Sequence, residues 1–194
     1  MDKDYKYKSL TSKQVEQELK KEIYKIKYIK TLKSTIYSLL IISSLAILIS
    51  TFIISVLEIK ESTMKPEINE NEFVLVTKLK KVKSGDIIAF YHGNKILIRR
   101  VIATSGNWVN IDESGNIYIN GKIINEPYII EKSLGNFDIT FPYQVPEEHY
   151  FVLSDNRTNT LDSRNSLIGS ISENNVIGKI VLKIWPLNKF KIIK

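Results

Sequence analysis

The chain has 194 residues, 43% apolar and 25% charged, which excludes a wholly disordered protein and leaves room for one compact domain plus an appendage. It has no cysteine and only two histidines, His92 and His149, which excludes a disulfide framework, a thiolate zinc site, a cysteine nucleophile and a multi-histidine metal centre. The net charge of +7 would suit either nucleic acid or an anionic membrane surface, and where it sits decides between them.

Residues 1–33 hold ten lysines against five acids, so most of the excess lies here and residues 58–194 keep only +2. Nucleic acid is therefore not an expected partner of the main domain. Val15, Leu19, Ile23, Ile26 and Ile29 recur at helical spacing within this basic stretch. They predict a basic amphipathic helix, either lying against the inner leaflet or simply solvated.

From Ser34 to Leu57 the chain runs without a charge and is rich in Ile and Leu. As a helix this run is about 36 Å long, enough to cross a hydrocarbon core of about 30 Å with some tilt. A signal-peptide core is shorter, about 7–15 residues, and no small-residue cleavage site follows this one. With lysines before the run and nearly cancelling charges after it, the positive-inside rule places residues 1–33 in the cytoplasm. It makes 34–57 a single transmembrane helix and sends 58–194 outside.

Beyond Lys60 the periodicity becomes that of strands. Phe73–Val76, Asp86–Phe90, Ile96–Ile98, Val109–Ile111, Ile117–Ile119, Tyr150–Leu153 and Ile177–Leu182 are short apolar runs separated by Gly- and Asn-containing turns. Asn120-Gly121 between two of them predicts a type I′ hairpin. Many short strands without intervening helices predict an all-β, barrel-like ectodomain behind the single membrane helix.

Lysine is the default cation here, and the four arginines stand in two clusters, Arg99-Arg100 and Arg157 with Arg164. Arginine offers a permanently charged planar fork, so its selective use predicts buried ion pairs around one site.

Four segments then carry a family resemblance. Ser62-Thr63-Met64-Lys65-Pro66 resembles the Ser-Met-x-Pro box of type I signal peptidases, and Gly85-Asp86-Ile87-Ile88-Ala89-Phe90 their Gly-Asp-Ile-Val-x-Phe strand. Ile98-Arg99-Arg100-Val101-Ile102 resembles their Ile-Lys-Arg-Val-Ile box. Ser154-Asp155-Asn156-Arg157 through Asp162-Ser163-Arg164 resembles their Gly-Asp-Asn-Arg-x-x-Ser-x-Asp-Ser-Arg box. Order and spacing agree from about Ile59 to Pro186, after a membrane anchor.

The resemblance implies a membrane-anchored Ser/Lys endopeptidase that removes signal peptides, with no metal and no cofactor. A neutral lysine takes the serine proton, the serine attacks the scissile carbonyl, and main-chain N–H groups hold the oxyanion. It implies Thr63 at the nucleophile position and Arg99 at the general-base position. In supporting roles it implies Thr160 where a serine orients the lysine, Asp162 paired with Arg164, and Asp155 as partner of Arg100. Met64, Leu97 and Ile98 are expected along the substrate groove.

Both reacting positions depart from the pattern. Threonine keeps a hydroxyl but adds a methyl that restricts χ1 and crowds attack. Arginine, which is not deprotonated in proteins, cannot act as a general base. Arg99 is instead expected to pair with Asp162 or hydrogen-bond Thr160. His92, seven residues before Arg99, and His149 are the remaining candidate bases.

Three functions compete. The first is a catalytically disabled homologue in a Gram-positive membrane that binds a signal peptide or pilin-like client segment; homologues with replaced catalytic residues, which this pattern resembles, are associated with pilus assembly. The second is an active signal peptidase I using Thr63. The third, an anchored β-module without a peptide groove, leaves the four boxes unexplained.

Overall fold

The computed structural model describes residues 11–78, 81–159 and 161–193, which divide into an N-terminal helical unit and a β unit from Ser50 onward. Thr160 and the lysines before residue 11 lie outside the described residues.

One α-helix, α1, spans Ser12–Phe52 with every residue exposed. The basic stretch and the apolar run thus form a continuous helix rather than two. Thr31 and Thr35 hydroxyls bond back to the carbonyls of Lys27 and Thr31, keeping those groups satisfied inside it. Glu16–Lys20, Glu18–Lys21 and Glu22–Lys25 form exposed ion pairs on its first half, each worth only tenths of a kcal/mol. α1 is the single described helix long and apolar enough to cross a membrane. Its uncharged part, from Ser34 to Phe52, covers about 28 Å, close to the hydrocarbon thickness.

The helix stops five residues before the apolar run does. Ile54–Glu58 is strand β1, antiparallel to β2, Phe73–Thr77, with Ile54 opposite Thr77 and Glu58 opposite Phe73. The remaining strands are β3 (Ile87–His92), β4 (Lys95–Thr104), β5 (Trp108–Ile111), β6 (Ile117–Ile119), β7 (Lys122–Ile123), β8 (Tyr143–Gln144), β9 (His149–Leu153), β10 (Ile171–Ser172), β11 (Val176–Trp185) and β12 (Lys191–Ile192). Asn120 and Gly121 join β6 to β7 with φ of 49° and 76°, the two positive values that a type I′ turn needs.

The strands form two open sheets, not a barrel. The larger runs β1-β2-β11-β3-β4-β9-β10, with β12 added beside β11, and the smaller runs β7-β6-β5-β8. The expected barrel-like closure fails because β1 and β10 end the larger sheet without meeting. The ten-residue β11 serves β3 with its first half and β2 with its second, and bulges at both ends of Ile180–Lys183 coil the sheet. Gly178 stands where these two pairings cross, and a Cβ there would run into the Thr77 carbonyl oxygen. Coiling without closure leaves the β1 edge open.

The core follows the two-residue period. On β3, Ile87 and Ala89 pack with Ile59, Met64, Val74, Val76 and Ile180, while Ile88 and Phe90 face the opposite side with Leu97, Val101 and Val152. A third cluster, including Ile102, Val109, Ile117, Phe151 and Leu153, joins the small sheet to β4 and β9. β3 from Ile87 to Phe90 and β4 from Arg99 to Ala103 are therefore buried on both faces, and side chains there are closely packed.

Candidate active site

Three chain segments converge where β4 passes the turn after β1. Thr63 lies in that turn and is 5% exposed. Its carbonyl accepts the Asn156 N–H at 2.9 Å, which ties the nucleophile-position loop to the last box. Arg99, at the middle of β4, is fully buried.

The guanidinium of Arg99 is gripped on three sides. Nε donates to the Leu161 carbonyl at 2.7 Å, and Nη1 to the Ile98 carbonyl at 2.6 Å and to Thr63 Oγ1 at 2.9 Å. Its ion-pair partner is Glu61, whose Oε2 lies 3.4 Å from both Nη1 and Nη2. Burial lowers the Arg99 pKa, with Glu61 and Asp162 opposing that shift. Arginine is not deprotonated in proteins, so the group stays a cation.

Among the described residues Arg99 therefore makes no hydrogen bond to Asp162, and its other expected partner, Thr160, lies outside the described residues. Both Asp162 carboxylate oxygens are occupied: Oδ1 accepts from Arg164 Nε at 2.9 Å, and Oδ2 from Arg164 Nη2 at 2.7 Å and the Ser154 N–H at 3.0 Å. Arg164 also donates to the carbonyls of Ser133, Leu134, Arg157 and Asn159. This buried pair ties the 133–134 segment to the 154–164 segment.

Arg100 points away from Arg99, as neighbours on a strand must. Its Nε and Nη2 reach Asp155 Oδ1 and Oδ2 at 2.8 and 2.6 Å, its Nη1 the Gly85 carbonyl, and its plane stacks 3.9 Å from the Tyr128 ring centroid. Arg157 pairs with the buried Glu126. All four arginines are buried in ion pairs, as their selective use predicted.

Neither histidine approaches Thr63 through Arg99's neighbourhood. His92 stands four residues along β3 from Ile88, the residue opposite Arg99, or about 13 Å. His149 stands four residues along β9 from Leu153, opposite Arg100, a similar distance, with Nδ1 bonded to the Glu147 carbonyl.

Beside Thr63 a groove of about 690 Å³ runs along the open β1 edge. Val56, Ile59, Met64, Ile96 and Ile98 give it an apolar floor, and Glu58, Lys60, Glu61 and Lys95 charge it. Met64 and Ile98 thus border the groove. Leu97 faces the other side of β4 and packs against the core with Phe90.

Glu61 and Glu126 escaped the sequence reading. Glu61 lay two residues before Thr63, and an acid so close to an arginine at the base position was the signal available. Nothing local marked Glu126, which meets Arg157 across 31 residues.

The β unit thus sets a hydroxyl-bearing loop against a strand-borne cation beside a groove, and a long apolar helix precedes it in the chain. Residues 32–185 match the family described as signal peptidase, peptidase S26. The chain is 31% identical over 172 residues to "Signal peptidase I P" of Bacillus subtilis subsp. natto, covering 82% of this chain and 92% of that one. It is 32% identical to "Signal peptidase I T" of Bacillus subtilis strain 168, over 77% of this chain and 83% of that one. It is 30% identical to "Signal peptidase IB" of Staphylococcus aureus, over 84% and 94%. A crystal structure of a signal peptidase I from Enterococcus faecalis V583 aligns with 30% identity and a TM-score of 0.43, covering 53% of this chain and 98% of that one. The chain belongs to the type I signal peptidase family.

Proposed function

We propose that this protein is a membrane-anchored signal-peptidase-fold protein that holds an extended segment of an exported client in its groove without cleaving it by the Ser/Lys route. One observation carries the reading: the group touching the Thr63 hydroxyl is a guanidinium donating to it at 2.9 Å. Attack on a carbonyl requires that the hydroxyl proton pass to an acceptor as the C–O bond forms. Arg99 has no lone pair to receive it. The contact supplies Thr63 Oγ1 with a donor and offers its proton no acceptor.

The open β1 edge and the apolar groove beside it suit an extended peptide added as a strand, with alternate side chains seated against Ile96, Ile98 and Met64. A signal peptide or a pilin-like segment has that form. The pilin-like client is the narrower version, supported by replacement of both reacting positions together. The test is whether the full-length protein in detergent binds a signal-peptide-bearing preprotein and leaves it intact. Cleavage that Thr63→Ala abolishes overturns the reading.

The relatives favour a second reading, an active signal peptidase I, because those of about 30% identity over most of the chain are named so. That reading needs Thr63 as nucleophile and a base other than Arg99. Glu61 is the carboxylate at the site, so Glu61→Gln should then abolish cleavage.

Topology belongs to the same proposal. With the lysine excess before Ser34, residues up to Lys33 face the cytoplasm and the β unit faces outward. Protease added to intact spheroplasts should digest the β unit and spare the N-terminal segment; the opposite pattern contradicts this.

A further inference from the structure

Arg99 is a poorly neutralised buried cation. Charge-assisted N–H···O bonds normally close to about 2.7–2.9 Å. Glu61 remains at 3.4 Å from both terminal nitrogens, and its side chain is 41% exposed while that of Arg99 is 0% exposed. Among the described residues Nη2 has this one contact for its two N–H groups. Thr63 Oγ1 accepts from Nη1, which leaves the hydroxyl proton free to be donated elsewhere. Nη2 and the Thr63 hydroxyl are thus two adjacent donors, covered by an acid that sits in the groove wall.

From this we infer that the Arg99–Thr63 pair is a carboxylate-recognition site, and that its ligand is an extended apolar peptide ending in a free α-carboxylate. This deepens the non-cleaving reading and rests on it. The terminal carboxylate would take one hydrogen bond from Arg99 Nη2 and one from the Thr63 hydroxyl, displacing the Glu61 side chain toward solvent. Glu61 acts as an internal stand-in that keeps the guanidinium covered while the groove is empty. Charge complementarity points the same way. With Glu61 set against Arg99, the other charges lining the groove are Lys60, Lys95 and Glu58, a net positive wall that favours an anion. The apolar floor formed by Ile59, Met64, Ile96 and Ile98 accounts for the apolar body of the peptide. Such a peptide is the product of a cleavage performed elsewhere, so the reaction that supplies the ligand is hydrolysis of a peptide bond by another enzyme.

The experiment uses the full-length protein in detergent and one short N-acetylated apolar peptide in three forms, followed by fluorescence anisotropy. The forms are the free acid, the C-terminal amide, and the same peptide extended by a glycine-serine tail. The free acid should bind about tenfold or more tightly than the other two, the size of one charge-assisted hydrogen bond. Glu61→Gln, at a half-exposed position, should tighten the free acid several-fold and leave the amide unchanged. Arg99→Gln should erase the preference for the acid. Equal affinity for acid and amide in the wild type overturns the carboxylate site while leaving the non-cleaving groove standing. Glu61→Gln weakening the acid overturns it as well, because Glu61 would then be part of the site rather than its stand-in. Hydrolysis of the extended peptide that Thr63→Ala abolishes overturns the underlying reading instead.

Discussion

Asp162→Ala is expected to lower the melting temperature of the full-length protein by about 10 °C, the equivalent of about 3–5 kcal/mol for a chain of this size. The side chain is fully buried and accepts four hydrogen bonds, three from Arg164 and one from the Ser154 N–H. Removing it leaves the Arg164 guanidinium in the interior without a counter-charge, and water cannot replace the carboxylate there. The loss spreads, because Arg164 also binds the carbonyls of Ser133, Leu134, Arg157 and Asn159. Asp162→Asn keeps the shape and one set of acceptors, so it should cost less. A melting temperature unchanged by Asp162→Ala would mean that the pair is not a determinant of the fold.

The second large effect concerns reversion of the reacting positions. Thr63→Ser alone should restore no cleavage, since the guanidinium at Nη1 still donates to the hydroxyl. Arg99→Lys alone should restore little, since the threonine methyl still crowds attack. The double variant Thr63→Ser, Arg99→Lys is expected to process a preprotein at least about 100-fold faster than wild type, within the range that a general base contributes. Lysine cannot reach the Leu161 and Ile98 carbonyls as a fork, and burial on β4 disfavours its charged form, as a base requires. Two single reversions that each match the double would show that the positions do not act as a unit.

Much of the β unit was legible from alternation and turn chemistry. Ile87-Ile88-Ala89-Phe90 reads as a strand apolar on both faces, and both faces are buried. Asn120-Gly121 names its own turn. Closure was not legible, because a barrel and an open coiled sheet impose the same two-residue period. The difference lies in whether β1 meets β10, which no local pattern records. The end of α1 was hidden for a related reason: Ile53–Leu57 continues the apolar run, and only pairing with Phe73–Thr77 turns it into a strand.

The site divides along the same line. Thr63 and Arg99 were found through boxes whose residues are contiguous in sequence. Asp162, one of the two partners expected for Arg99, is instead captured by Arg164, two residues away on its own turn. That leaves the looser Glu61, and with it the partly uncovered cation on which the carboxylate site depends.

The most direct test of the account is processing of a signal-peptide-bearing preprotein by the full-length wild-type protein in detergent, run beside Thr63→Ala. The Arg99–Thr63 geometry predicts no processing above background and no difference between the two proteins. Processing by the wild type that Thr63→Ala abolishes would contradict it.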